Sequence, residues 1–84
     1  SDHSHALAIR MTAAGDSEDA RLRWLFQHVY SREVAETELT DIQRFLTSYR
    51  ETADTQPTSS TVVSHAYQAL CRVILTSNEF FYID

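Results

Sequence analysis

Val62-Val63-Ser64-His65-Ala66-Tyr67-Gln68-Ala69-Leu70-Cys71-Arg72-Val73-Ile74-Leu75 runs straight into Thr76-Ser77-Asn78-Glu79-Phe80-Phe81-Tyr82-Ile83-Asp84. In the first stretch Val63, Ala66, Tyr67, Leu70, Val73 and Ile74 recur at steps of three and four, the spacing of one buried helix face. Val62, Ala69 and Leu75 thicken that face until little of the circumference stays polar, which marks a helix over 61–76 as the central one. Ser59 or Ser60 is placed to cap its start. Ser77 and Asn78 are placed to end it, because Asn tolerates the left-handed conformation. Beyond that stop, alternation along an extended tail sends Phe80 and Tyr82 into the bundle and Phe81 and Ile83 outward.

The rest of the chain reads as three more helices. Asp2, His3, Ser4 and His5 give way to Ala6, Leu7, Ile9, Met11, Ala13 and Ala14, which predicts a helix over 4–14. Gly15, the single glycine, follows the last apolar residue, where a left-handed helix end belongs. Asp16 then stands as N-cap of a second helix over 17–31, with Glu18 and Asp19 placing negative charge in its first turn. Its stripe is Leu22, Leu25, Phe26 and Val29, flanked by Trp24 and Tyr30, with Arg21 and Arg23 on the other side. After the short link Ser31-Arg32-Glu33-Val34-Ala35, a third helix over 36–52 carries Leu39, Ile42, Phe45, Leu46 and Tyr49 on one face. Asp41 and Arg44 are spaced to pair on its surface. Ala53 to Ser60 holds the single proline among polar residues and reads as a surface loop. The expected fold is all-α, a compact bundle of about four helices in a single domain over 1–84.

Composition narrows the function classes. A chain of 84 residues buries only about 60–65% of its unfolded surface, so its net stability is a few kcal/mol. All seven cationic side chains are Arg, and against twelve Asp and Glu they leave a net charge of −5. The acidity is scattered over helix surfaces, and no basic stripe exists to displace counterions from phosphates, which argues against nucleic acid as a partner. The apolar runs fall short of the roughly 20 residues of a membrane span, so no membrane insertion is expected. A lone Cys71 permits no disulfide within the chain.

The closing block Val73-Ile74-Leu75-Thr76-Ser77-Asn78-Glu79-Phe80-Phe81-Tyr82-Ile83-Asp84 resembles a signature of the form A-L-L-N-S-N-E-F-L-Y-V-D. That signature belongs to a planctomycete domain family of unknown function, found at the C-terminal end of large secreted proteins that often carry a cytochrome-c-like module. Ala66-Tyr67-Gln68-Ala69-Leu70-Cys71 is similar to the family's A-W-x-x-L-C, with Tyr67 where Trp is usual. Tyr30-Ser31-Arg32-Glu33 followed by Glu38-Leu39 is similar to L-G-R-x-P-T-x-x-E-L, departing at Ser31, Val34 and Ala35, where the family has Gly, Pro and Thr. The resemblance implies the C-terminal fragment of a larger, extracytoplasmic or secreted protein, with the upstream part of its own chain as partner and no established reaction. A shorter likeness, a tyrosine–arginine helix end with a closing S-x-E-F, points to phycobilisome-linker-like or surface-protein assembly modules.

Weighed for chemistry, the residues favour structure. His3 and His5 form an H-x-H at a terminus, and two ligands there do not make a metal site. His28 and His65 have no spacing that joins them to Cys71, so no metal site is expected and both read as partly exposed. Cys71 lies mid-helix on an apolar face without a neighbouring base, which predicts a buried, inert thiol and no catalytic role. No C-x-x-C-H occurs, so covalent haem is not expected, and no cofactor is implied by the residues themselves. An enzyme reading therefore needs an active site supplied upstream, with this fragment non-catalytic. Glu79, between Asn78 and Phe80, reads as a carboxylate paired with an Arg or bonded to backbone N–H groups. Arg32 is its expected partner in a structural clamp, and Glu38 the rival for Arg32. The candidate core is Leu22, Leu25, Phe26, Val29, Leu39, Ile42, Phe45, Leu46, Tyr67, Leu70, Ile74 and Phe80.

Overall fold

Among the described residues four helices follow in chain order: α1 (Ser4–Ala14), α2 (Glu18–Tyr30), α3 (Glu36–Thr52) and α4 (Ser60–Ile83). The computed structural model describes residues 3–52 and the helix from 60 to 83, with side chains for 3–52 and 65–77. No strand occurs among the described residues, and the fold is an all-α bundle. Helix α4 is the hub: it packs against both α1 and α3, while α2 packs mainly on α1. Its 24 residues span about 36 Å at 1.5 Å per residue.

The core lies where α4 meets its neighbours. Met11, Leu22, Leu25, Leu46, Ala66 and Cys71 are fully enclosed, joined by Leu7, Ala8, Phe26, Leu39, Tyr67, Leu70 and Ile74. Val34, in the link before α3, is buried as well and anchors that link to the bundle. Val29, Ile42 and Phe45 belong to the expected core but are only partly covered, because each borders an open hollow between helices. Phe80 lies outside the described side chains.

The helix ends depart from the expected arrangement in three places. Ser17, not Asp16, is the N-cap of α2: its extended backbone lets Oγ accept from Ala20 N–H at 3.1 Å. Gly15 is extended, at φ −155° and ψ 161°, not left-handed. Its need for glycine is spatial, since a Cβ there would lie 2.8 Å from the Ala20 Cβ. The left-handed residue is Ser31, at φ 58° and ψ 37°, whose N–H closes α2 by donating to the Gln27 carbonyl at 3.0 Å. Arg21, read from sequence as a surface cation, is half-buried instead, and its Nε donates to the carbonyls of Thr12 (3.1 Å) and Gly15 (3.0 Å). It thus supplies donors that the end of α1 cannot find in its own helix.

Helix α4 overruns its expected end. Ser77 and Asn78 do not stop it, and the backbone stays helical to Ile83. An Asn inside a helix costs a few tenths of a kcal/mol, and no Gly or Pro follows to break propagation. The alternation expected for an extended tail therefore does not apply: positions 80 and 82 are about 200° apart around a helix. The side chains of Asn78, Glu79 and Phe80 to Ile83 lie outside the described residues, as does segment 53–59, where the polar loop was expected.

Candidate functional site

One hollow stands out by its chemistry. Phe26 of α2, Ile42 and Phe45 of α3, and Leu70, Val73 and Ile74 of α4 line a groove of about 250 Å³. Two carboxylates, Glu38 and Asp41, complete its lining. Ile42 and Phe45 are three apart on α3, and Leu70, Val73 and Ile74 sit at i, i+3 and i+4 on α4, so two helical ridges form its sides. Val73, placed by its spacing on the buried face, is 51% exposed. The groove exists because α3 reaches the bundle through α4, leaving α2 and α3 without close packing along their length.

Arg32 and Glu38 sit beside this groove. Arg32 Nη1 and Nη2 donate to Glu38 Oε1 and Oε2 at 2.9 and 2.7 Å, a bidentate fork. Nη1 also donates to the Glu33 carbonyl at 3.0 Å, and the guanidinium lies 5.4 Å from the Phe26 ring and 5.3 Å from that of Tyr30. Glu38 Oε1 further accepts from Ala35 N–H at 2.8 Å, half of a capping box at the start of α3. The Arg32 fork, then the Ala35 N–H, hold the Glu38 carboxyl down to about 2. Burial, only partly offset by Arg32, raises the neighbouring Tyr30 phenol. Arg32 and Glu38 thus form an ion pair, whereas the other two clamp candidates, Glu79 and Asn78, lie outside the described side chains.

A second polar cluster escaped the sequence reading. Glu18 Oε1 accepts from Arg50 Nη2 at 2.7 Å and from the Tyr67 hydroxyl at 3.1 Å. Arg21 Nη1 donates to that hydroxyl at 3.4 Å, and Arg50 stacks 5.7 Å over the Tyr67 ring. Tyr67, 1% exposed, therefore buries its ring and spends its hydroxyl both ways, donating and accepting. The group ties the start of α2, the end of α3 and the middle of α4 together. No periodicity links residues 32 and 49 apart in sequence, so only the acid-first, base-last placement of Glu18 and Arg50 hinted at it.

The remaining chemistry is sparse. Cys71 is enclosed, and burial pushes its thiol up to about 12, so it stays protonated at neutral pH. Among the described residues no three of His, Cys, Asp and Glu converge to hold a metal ion. His5 Nδ1 lies 3.2 Å from Gln68 Oε1, and His28 is exposed and stacks on Trp24 at 4.8 Å, with Arg10 at 5.6 Å from the same indole. His65 is exposed beside Tyr49 and Arg72. No helix among the described residues is long and apolar enough to cross a membrane. In comparisons with known proteins, the chain matches no family model, no curated protein and no solved structure.

Proposed function

We propose that this chain is a non-catalytic docking module that fastens onto another part of the protein to which it belongs. The observation that carries this is the groove between α3 and α4, with Val73 half-exposed at an apolar wall and Ile42 and Phe45 only partly covered. Full burial of such a side chain from full exposure is worth about 1.5–3 kcal/mol, so covering what remains open on each gives at most about half of that before ordering costs. The resemblance of the closing block to the tail domain of large secreted planctomycete proteins supports the same reading. On that basis the partner is the upstream part of the parent chain, in an extracytoplasmic setting. The buried, protonated Cys71 offers no nucleophile, which favours docking over catalysis within this segment.

Hydrogen exchange compared between the 84-residue chain and its full-length parent tests the proposal. Amides around Ile42–Phe45 and Leu70–Ile74 are expected to exchange more slowly in the parent, while those of the exposed face of α1 near Ile9 stay unchanged. Equal exchange at the groove in both proteins overturns it.

A further inference from the structure

The groove's walls and rim restrict what fits it. Its sides are two helices whose backbone groups are bonded internally, so they offer an occupant no ladder of N–H and C=O partners. An extended strand laid there would leave one edge of its own backbone unpaired. A helix satisfies its backbone itself and can set apolar side chains between the ridge Ile42–Phe45 and the ridge Leu70–Val73–Ile74.

The rim then sets the charge. Every charged residue lining the groove is acidic, namely Glu38 and Asp41. Arg32 holds Glu38 in its fork, whereas Asp41 has only a loose surface ion pair with Arg44, so it is the less compensated of the two carboxylates. Its side chain is 76% exposed, and Arg44 comes no nearer than 4.0 Å. Glu36 lines the adjoining hollow together with Asp41 and extends the acidic edge along the start of α3. The whole chain carries −5, so the long-range field has the same sign as the rim.

From the groove's shape and rim we infer that its occupant is a cationic amphipathic helix, with apolar anchors three and four residues apart and Lys or Arg on the flank facing Asp41. This rests on the docking reading above and names the chemistry of the docked segment. Leu at the anchor positions fills the space beside Val73, and a cation one turn away reaches Asp41 and Glu36.

Two labelled synthetic helices with one Leu pattern, the first with Lys at all other positions and the second with Glu, test it by fluorescence anisotropy. The Lys helix is expected to bind at least about tenfold more tightly at low salt, with the gap closing as exposed charges are screened near 1 M salt. Val73→Asn is expected to weaken the Lys helix by about tenfold without unfolding the chain, since Val73 is already half-exposed. Asp41→Asn is expected to narrow the difference between the two helices. Asp16→Asn, which removes the same charge beside the start of α2, at the end of the bundle where Glu18 meets Arg50, leaves that difference intact. Equal binding of the two helices, or equal effects of Asp41→Asn and Asp16→Asn, overturns the charge assignment while leaving docking in place. Binding of neither helix, with no slowing of groove amides in the parent, overturns docking itself.

Discussion

At the scale of single residues, Glu38 does the most with one side chain. It accepts two donors from Arg32 and one from Ala35, joining the α2–α3 link to the first turn of α3. Both partners are substantially exposed, Arg32 by 49% and Glu38 by 35%, so solvent screening keeps the worth of the pair small. The folded carboxyl sits near 2 against an ordinary 4.5. Its stabilisation is therefore complete above about 4.5 and drains away as pH falls toward 2. Glu38→Gln is expected to cost about 0.5–1 kcal/mol at pH 7. Chemical denaturation at pH 3 should show less than half of that difference, and a constant difference across this range would refute the ionic origin.

The same carboxylate shows what the third helix lacks at the scale of the element. Glu38 bonds back to the N-cap N–H, but the N-cap is Ala35, which has no hydroxyl to return the bond to the first turn. Helix α2 has the hydroxyl: Ser17 Oγ accepts from Ala20 N–H. Ala35→Thr completes the box at α3 and is expected to raise stability by about 0.5–2 kcal/mol, measured as a shift in the urea midpoint at constant m. Element boundaries for α1, α2 and α3 were legible because acidic first turns and apolar spacing are local signals, although the N-cap of α2 is Ser17 and not Asp16, and Gly15 is extended and not left-handed. The end of α4 was not, since a Ser-Asn pair stops a helix only when the following chain gains more by leaving it.

For the whole molecule, Cys71 reports on global opening. It lies at the meeting of α4 with the bundle, fully enclosed, with its thiol raised to about 12 by burial. Labelling by a thiol reagent at neutral pH is expected to run at least about a hundredfold slower than in the urea-unfolded chain and to follow the population of the open state. Fast labelling of the folded chain would mean that α4 leaves the bundle far more often than its burial implies. The polar cluster of Glu18, Arg50, Tyr67 and Arg21 acts at this scale too, because it joins three helices that no sequence motif connects. Arg50 Nε is enclosed with no hydrogen-bond partner among the described residues, a cost offset by the carboxylate on its Nη2.

The amino-acid sequence by itself determined the helical class, three sets of helix boundaries, most of the enclosed core and the burial of Cys71. All of these follow from local rules: a period of 3.6, acidic first turns, and the burial of a thiol on an apolar face. Only the tertiary structure decided which parts of an apolar face are covered. Val73 and Ile74 are neighbours on one helix with the same kind of side chain, yet Ile74 is 6% exposed and Val73 is 51%. Periodicity says which side of a helix is apolar, whereas coverage depends on the angle at which the next helix crosses it. Here α3 packs on α4 while α2 packs mainly on α1, and that arrangement turns a stretch of predicted core into a groove.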